Sequence, residues 1–228
     1  MHDYSMLAEG DQVLVAVSGG VDSLVLAWLL DQWRAKAPIH YELRFVHVDM
    51  GFSGESQELA GQLSPVAWVR RELARMGLDL EVVRGQRLGT EKEGSCFLCA
   101  RHRRQQLFEL ARKNRCNKLA FGHHQDDLIE TLFLNMLFSG NISTMVPRQD
   151  LFDGRLALIR PLAYLVKSEV EAIASRLDFQ PLANPCPLAG QTQREQVRVW
   201  LGQLYAQEPA ARGSIFAAMG NVREDYLL

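Results

Sequence analysis

Short apolar segments alternate with longer amphipathic segments from the start of the chain to about Gly140. The sequences "VLVAV", "YELRFVHVDM", "LDLEVVR" and "KLAFG" are short and rich in β-branched residues, which predicts four strands. The segments between and after them carry apolar residues at helical spacing, which predicts helices over residues 24–33, 65–76, 97–113 and 125–138. This alternation predicts an α/β fold with a doubly wound, mainly parallel sheet.

The pattern changes in the last third of the chain. The sequence "NISTMVPRQDLFDG" is typical of a loop, "LALIRPLAY" is an apolar segment, and residues 167–177, 192–206 and 209–222 have helical patterns. We expect one domain over residues 1–228, in which residues from about 140 to 228 form a helical cover on the same core.

A polar hexapeptide, "SGGVDS", separates the first predicted strand from the first predicted helix. Glycines let an anion approach the backbone, and a helix N-terminus presents N–H groups and a partial positive charge. We therefore expect a phosphate group here, although a plain turn capped by Ser18 or Asp22 explains the pattern equally well. Asp22 is expected either to cap the helix or to face a bound Mg²⁺. The candidate residues are Ser18, Gly19, Gly20, Asp22 and Ser23.

Two further polar segments follow predicted strands. Asp49 ends the second strand, and "GHHQDD" follows the fourth, with His123, Asp126 and Asp127 as candidates. Ligands of parallel sheets bind at the carboxyl ends of the strands, where carboxylates can hold Mg²⁺. The alternative is a helix whose acidic first turn is favoured by the helix dipole.

Three cysteines have the pattern of a metal or cluster site. Cys96 and Cys99 are three residues apart at the start of a predicted helix, and Cys186 lies between prolines in "NPCPLAG". A zinc site that also uses His102 is chemically possible but weaker, because position i+6 of a helix turns away from position i. Cys116 has no partner at ligand spacing and is interpreted as structural.

The net charge of −2 gives the whole chain no attraction to nucleic acid, so any such binding needs a local patch. A basic run from Arg101 to Lys118 is one candidate, and a solvated helix face is the alternative. Neither a secretory signal nor a membrane-spanning segment is recognisable, so we expect a cytoplasmic protein. The candidate RNA-binding residues are Arg101, Arg103, Arg104, Arg112 and Lys113.

The string "VAVSGGVDSLVL" resembles the pyrophosphate loop of the PP-loop ATPases, the N-type ATP pyrophosphatases. With it, "SCFLCARHRRQQLFELA", "LAFGHHQDDLIETLFLNMLFSG", "IRPLAY", "NPCPLAGQTQR" and "FAAMGNV" resemble the tRNA 2-thiocytidine synthetases over nearly the whole chain. Three positions depart from that family: Val21 stands where lysine is usual, Ala189 where a further cysteine is frequent, and His102 where an apolar residue is usual.

The resemblance implies ATP-dependent tRNA thiolation. ATP activates the C2 oxygen of a tRNA cytidine, in that family the anticodon-loop base at position 32, and sulfur then displaces AMP. In the family, a C-x-x-C pair and a later Pro-Cys bind a 4Fe-4S cluster, which assigns Cys96, Cys99 and Cys186 here. Ser18, Gly19, Gly20, Asp22 and Ser23 would hold the phosphates, and the nucleotide and Mg²⁺ end would be lined by Asp49, His123, Asp126 and Asp127.

The resemblance also implies partners and leaves alternatives. The implied partners are tRNA and a sulfur donor such as a cysteine desulfurase; a homodimer is compatible with the sequence. The alternative functions are a PP-loop enzyme with another acceptor, such as a lysidine-type tRNA ligase or a small-molecule sulfur transferase, and a non-enzymatic metal-binding RNA module. Asp22, Ser23, Asp126 and Asp127 are the residues predicted to act in catalysis.

Overall fold

The computed structural model describes residues 3–51, 63–85, 95–182 and 192–226. The chain divides into two compact units. The first unit comprises Met1–His124 and Val146–Pro187, and the second comprises Gln125–Met145 and Leu188–Leu228. The expectation of a single domain over residues 1–228 stays a prediction.

The first unit contains a six-stranded sheet. Its strands are β1 (Asp11–Ala16), β2 (Tyr41–Asp49), β3 (Leu80–Arg84), β4 (Lys118–Ala120), β5 (Arg148–Leu151) and β6 (Leu156–Ile159). Their order across the sheet is β3-β2-β1-β4-β6-β5, and all neighbours are parallel except β5, which is antiparallel to β6. The mainly parallel sheet predicted from the sequence is confirmed.

Strand β5 corrects the predicted loop over residues 141–154. Phe152, Asp153 and Gly154 all have positive φ angles, and this left-handed turn closes a hairpin between β5 and β6. Strand β5 has only four residues, of which Leu151 alone is apolar. Its sequence therefore shows no alternation of apolar and polar residues that would predict a strand.

Helices account for most of the remaining described residues. In the first unit they are α1 (Val21–Arg34), α2 (Pro65–Arg75), α3 (Ser95–Lys113) and α5 (Lys167–Arg176). In the second unit they are α4 (Gln125–Ser139), α6 (Gln193–Gln207), α7 (Ala211–Ala218) and a 3₁₀ turn at Glu224–Tyr226. Every helix predicted from the sequence is present, but α1 and α3 begin earlier and α7 is shorter than predicted.

Helices of the first unit pack on both faces of its sheet. In β1, Val13 and Val15 face a cluster that includes Leu24 and Leu30 of α1, whereas Leu14 faces a second cluster that contains residues of α3. Alternate side chains of a strand point to opposite faces, so an all-apolar strand needs helices on both sides. The doubly wound arrangement is therefore confirmed.

The second unit has its own small core. Ile129 of α4 packs with Val197 and Leu201 of α6, and residues of α7 adjoin them. Across the described ranges of both units, no helix is long and apolar enough to cross a membrane.

The strand order of the first unit reverses beside β1. Strands β2 and β3 lie on one side of β1, and β4 and β6 lie on the other. In open α/β sheets, ligands bind outside the carboxyl ends of the strands at such a reversal. The connections that leave β1 and β4, residues 17–20 and 121–124, flank this position.

Candidate functional site

Ser23 fixes the loop between β1 and α1 from within. Its buried Oγ accepts the backbone N–H groups of Ser18 and Gly19, each at 3.1 Å, and donates to the Gly20 carbonyl at 2.9 Å. The Ser18 hydroxyl lies 3.2 Å from the same oxygen. The second serine of "SGGVDS" is thus part of the loop's internal scaffold.

The two glycines of the loop differ in what they permit. Gly19 has a φ of +90°, and a Cβ there would lie 2.5 Å from Val69 Cγ2 and 3.3 Å from Leu182 Cβ. Gly20 has a φ of −73°, and the nearest atom to a Cβ would be Ser18 Oγ at 3.6 Å. Gly19 is therefore required by the fold, whereas Gly20 leaves room at the N-terminus of α1 for an anion.

The segment after β4 packs directly on the start of α1. A Cβ on Gly122 would lie 2.9 Å from both the carbonyl carbon and the oxygen of Asp22. This close approach places His124 beside the loop, with its Nε2 at 3.8 Å from Asp22 Oδ1. The sequence identifies Gly122 and His124 only as members of the "GHHQDD" motif, because their role depends on a contact between distant segments.

Asp22 forms an ion pair with a residue that the sequence pattern does not reveal. The Lys167 Nζ at the start of α5 donates to Asp22 Oδ1 at 2.7 Å. The predicted capping role of Asp22 is wrong: the N-cap of α1 is Gly20, and no side chain caps it. Lys167 was missed because it lies 145 residues away in the sequence.

Asp49 and His123 lie at the same edge of the sheet as the loop. The Asp49 carboxylate accepts the Gly51 N–H at 2.8 Å, and the His123 ring packs against Phe121 with centroids 5.5 Å apart. A further histidine, His47 of β2, donates from Nδ1 to the Val17 carbonyl at 2.8 Å and ties the end of β1 to β2. Sequence periodicity places His47 in a strand without indicating this contact.

Asp126 and Asp127 belong to the second unit, where arginines neutralise them. Arg212 Nε lies 3.2 Å from Asp126 Oδ1, and Arg194 Nη1 lies 3.6 Å from Asp127 Oδ1. Both carboxylates occupy the first turn of α4, where the helix dipole favours negative charge. Their predicted catalytic role stays a prediction.

Glu130 is a buried carboxylate held by two arginines one helical turn apart. Its side chain is 4% exposed and contacts Arg194 at 3.2 Å and Arg198 at 2.8 Å. The hydrogen bond to Glu130 raises the pKa of the Arg198 guanidinium. The i,i+4 arginines of "REQVR" are the sequence signal for this pair, but their partner on α4 is not predictable from spacing.

The cysteines are only partly within the described residues. Helix α3 begins at Ser95, so Cys96 and Cys99 lie one turn apart, and the half-buried Cys99 packs against the cluster beneath α3. His102 is in the same helix six positions after Cys96, and position i+6 of a helix lies on a different face from position i, which argues against the zinc alternative. Cys186 lies outside the described residues, and among those described no three His, Cys, Asp or Glu side chains are grouped to hold a metal.

Cys116 is buried, and burial raises the pKa of its thiol. This environment agrees with the structural role predicted from the sequence, since a buried neutral thiol is a poor ligand and nucleophile.

The arginines and lysines of the basic run from Arg101 to Lys118 are exposed, except for Lys118 itself. Lys118 lies in β4, is buried and pairs with Asp11 at 3.8 Å, so it is not part of a solvent-facing basic patch. Near this helix, burial together with Arg104 lowers the pKa of Arg160 to about 10. The exposed members on α3 are Arg101, Arg103, Arg104, Arg112 and Lys113, and Arg115, which follows the helix, is exposed as well.

A family model described as a PP-loop domain matches residues 2–203 of the chain. The tRNA-cytidine(32) 2-sulfurtransferase of Geobacter sulfurreducens is 37% identical over 231 residues, covering 99% of this chain and 88% of that protein. The chain belongs to this PP-loop sulfurtransferase family. A second sulfurtransferase of the same name, from Anaeromyxobacter dehalogenans, is 36% identical over 100% of this chain and 78% of its own length.

A solved structure supports the fold of this sulfurtransferase family member. The U34-tRNA thiolase NcsA from Methanococcus maripaludis, described with its [4Fe-4S] cluster, matches with a TM-score of 0.74. The match covers 95% of this chain and 72% of that one at 23% identity. At this identity it supports the fold and nothing further. The predicted family is confirmed, the chain is an enzyme, and the alternative of a non-enzymatic module finds no support.

Proposed function

We propose that the chain is an ATP-dependent tRNA thiolase that converts the cytidine at position 32 into 2-thiocytidine. The observation that carries the proposal is the Ser23-centred loop at the N-terminus of α1, which lies where the strand order of the sheet reverses. The names of the relatives, tRNA-cytidine(32) 2-sulfurtransferases, support the choice of tRNA and of cytidine as the acceptor.

The reaction has two bond exchanges. The C2 oxygen of the cytidine attacks the α-phosphorus of ATP, and the bond to the β-phosphate breaks with release of pyrophosphate. Sulfide (HS⁻) then attacks C2 and loses its proton, the C2–O bond breaks, and AMP leaves with that oxygen. Backbone N–H groups at the start of α1 and its partial positive charge stabilise the departing pyrophosphate.

The Mg²⁺ that accompanies ATP would bind to carboxylates at this edge of the sheet. Asp22 fits this role because its side chain is 31% exposed near the end of the loop, although Lys167 also pairs with it. Asp49 ends the neighbouring strand and is the second candidate. Asp126 and Asp127 remain candidates from the sequence, although each already forms an ion pair with an arginine.

Positions 96 and 99 fit a cluster because residues three apart in a helix lie on the same face, and both positions are cysteines. The third proposed ligand is Cys186. When bound, a cluster held by three cysteines supplies an iron with an open position for sulfur. Cys186 lies outside the described residues, so its assignment rests on the sequence pattern.

The exposed basic residues of α3 are proposed to bind phosphates of the tRNA. They follow the two cysteines along the same helix, so the RNA backbone would pass close to the N-terminal end of α3, where the cluster is proposed. A sulfur donor such as a cysteine desulfurase, a cytoplasmic location and a homodimer complete the proposal. The residues concerned are Arg101, Arg103, Arg104, Arg112 and Lys113.

The test uses anaerobically reconstituted protein with ATP, Mg²⁺, tRNA and sulfide. We expect tRNA-dependent release of AMP and pyrophosphate together with 2-thiocytidine in digested tRNA. Cys186→Ala should lose thiolation, whereas Cys116→Ala should keep it. AMP release without any thiolated nucleoside, under conditions in which the cluster is present, would contradict the proposed acceptor chemistry.

A further inference from the structure

Asp22 lies beside a lysine and a histidine at the N-terminal end of α1. Its Oδ1 lies 2.7 Å from Lys167 Nζ and 3.8 Å from His124 Nε2. Asp22 stands in the first turn of α1, and Lys167 is the first residue of α5. The N-terminal ends of two helices, each with partial positive charge, therefore meet at this carboxylate.

A lysine at this position of α5 is unfavourable for the helix itself. Cations are disfavoured at helix N-termini, and an ion pair whose partners are about one third exposed adds little to stability. The stability of the fold therefore explains a lysine at position 167 poorly, whereas binding of an anion explains it well.

The first position of α1 lacks the cation that related enzymes usually have. Val21 occupies the place of the lysine in the family's SGGKDS loop, and its side chain packs against the apolar cluster on the α1 face of the sheet. No side chain of the loop 18–23 is then basic. A side-chain cation for the phosphates would therefore have to come from another element.

We infer that Lys167 supplies this charge, by binding the β- and γ-phosphates of ATP from α5 in place of a lysine at position 21. An ammonium group has three N–H donors, so it can hold Asp22 and a phosphate oxygen at the same time. The same contact prevents Asp22 from repelling the phosphates. This inference rests on the proposed function, because it assumes that ATP binds at the loop.

The experiment compares the affinities for ATP and AMP by calorimetry, since only ATP carries the phosphates that Lys167 would contact. Lys167→Met should weaken ATP binding by roughly 10- to 100-fold, the range expected for one charge-assisted hydrogen bond, and leave AMP binding unchanged. Lys167→Arg should lose much less. Lys36→Met, which removes an exposed lysine after the other end of α1, is the matched control and should change neither affinity.

A second variant tests whether a lysine at position 21 can replace the lysine at position 167. The double variant Val21→Lys/Lys167→Met should recover ATP affinity relative to Lys167→Met, and a double variant with no recovery overturns the equivalence of the two positions. An unchanged ratio of ATP to AMP affinity in Lys167→Met overturns the inference alone. If the wild type binds no ATP, the proposed function itself fails, and the inference fails with it.

Discussion

The backbone N–H of Leu182 donates to the carbonyl of Gly19 at 2.9 Å, which joins the segment that leads towards Cys186 to the loop that begins α1. Helix α2 secures the same segment, because Trp68 Nε1 donates to the Gln180 carbonyl at 2.8 Å and Glu72 accepts the Gln180 N–H at 3.1 Å. In the proposed mechanism, the loop that holds pyrophosphate is therefore supported from outside by residues 180–182 and by α2.

The two loop glycines should respond differently to alanine. Gly19→Ala forces a Cβ to 2.5 Å from Val69 Cγ2 on a backbone with positive φ, so we expect a lower melting temperature and loss of AMP formation. Gly20→Ala meets no atom closer than 3.6 Å and should keep the wild-type melting temperature. Its ATP affinity should nevertheless fall, since the methyl group occupies the approach of the phosphate. Equal melting temperatures for both variants would contradict this account of Gly19.

Ser23→Ala should destabilise the protein as well as impair ATP turnover. The substitution removes the acceptor of two backbone N–H groups, and the buried N–H of Gly19, left unsatisfied, costs about 1–3 kcal/mol. Ser18→Ala is the control, because its hydroxyl accepts no bond shorter than 3.4 Å from the backbone. Chemical denaturation should therefore separate the two variants; identical unfolding free energies would show that Ser23 Oγ does not organise the loop.

The basic face of α3 should contribute to tRNA binding through counterion release. The double variant Arg101→Glu/Arg104→Glu should weaken tRNA binding and reduce the slope of log affinity against log salt by about 1 or more, because each lost phosphate contact removes about 0.9 from the slope. Arg176→Glu, at the exposed end of α5, should leave the slope nearly unchanged. If the wild type and both variants have the same slope, these residues do not contact tRNA and form a solvated helix face.

Cys116 should stay unreactive in the folded enzyme. Burial raises its pKa above the ordinary value of 9.0, so the neutral thiol is favoured by folding. This stabilisation is complete below the unfolded pKa and is lost as pH rises through the folded one. Iodoacetamide at pH 8 should therefore modify Cys99 before Cys116, and stability relative to Cys116→Ala should fall above pH 9. Rapid modification of Cys116 in folded protein would contradict its burial.

Local patterns were sufficient to predict most of the architecture. Residues 13–16 of β1 are all apolar, so their sequence indicates burial between two layers without any tertiary information. Strand β5 was missed because a short polar edge strand satisfies half of its backbone groups in solvent and needs little apolar character.

The site was predictable where one segment supplies it and not where distant segments meet. The loop 18–23 is one contiguous segment between a strand and a helix, so Gly19 and Ser23 are candidates from the sequence, and the family resemblance assigns them to phosphate. Lys167, Gly122 and His124 act through contacts with Asp22, and Arg194 and Arg212 through contacts with carboxylates on α4. Helical spacing fixes which face a residue occupies but not which distant residue lies opposite.

Nucleoside mass spectrometry of tRNA from cells that lack the gene tests the central claim most directly. The deletion strain should contain no 2-thiocytidine at position 32, and the wild-type gene should restore it. A Cys116→Ala gene should also restore it, whereas Cys186→Ala and Asp22→Ala genes, expressed to equal protein levels, should not. Unchanged 2-thiocytidine in the deletion strain, or full restoration by Cys186→Ala, would contradict the account.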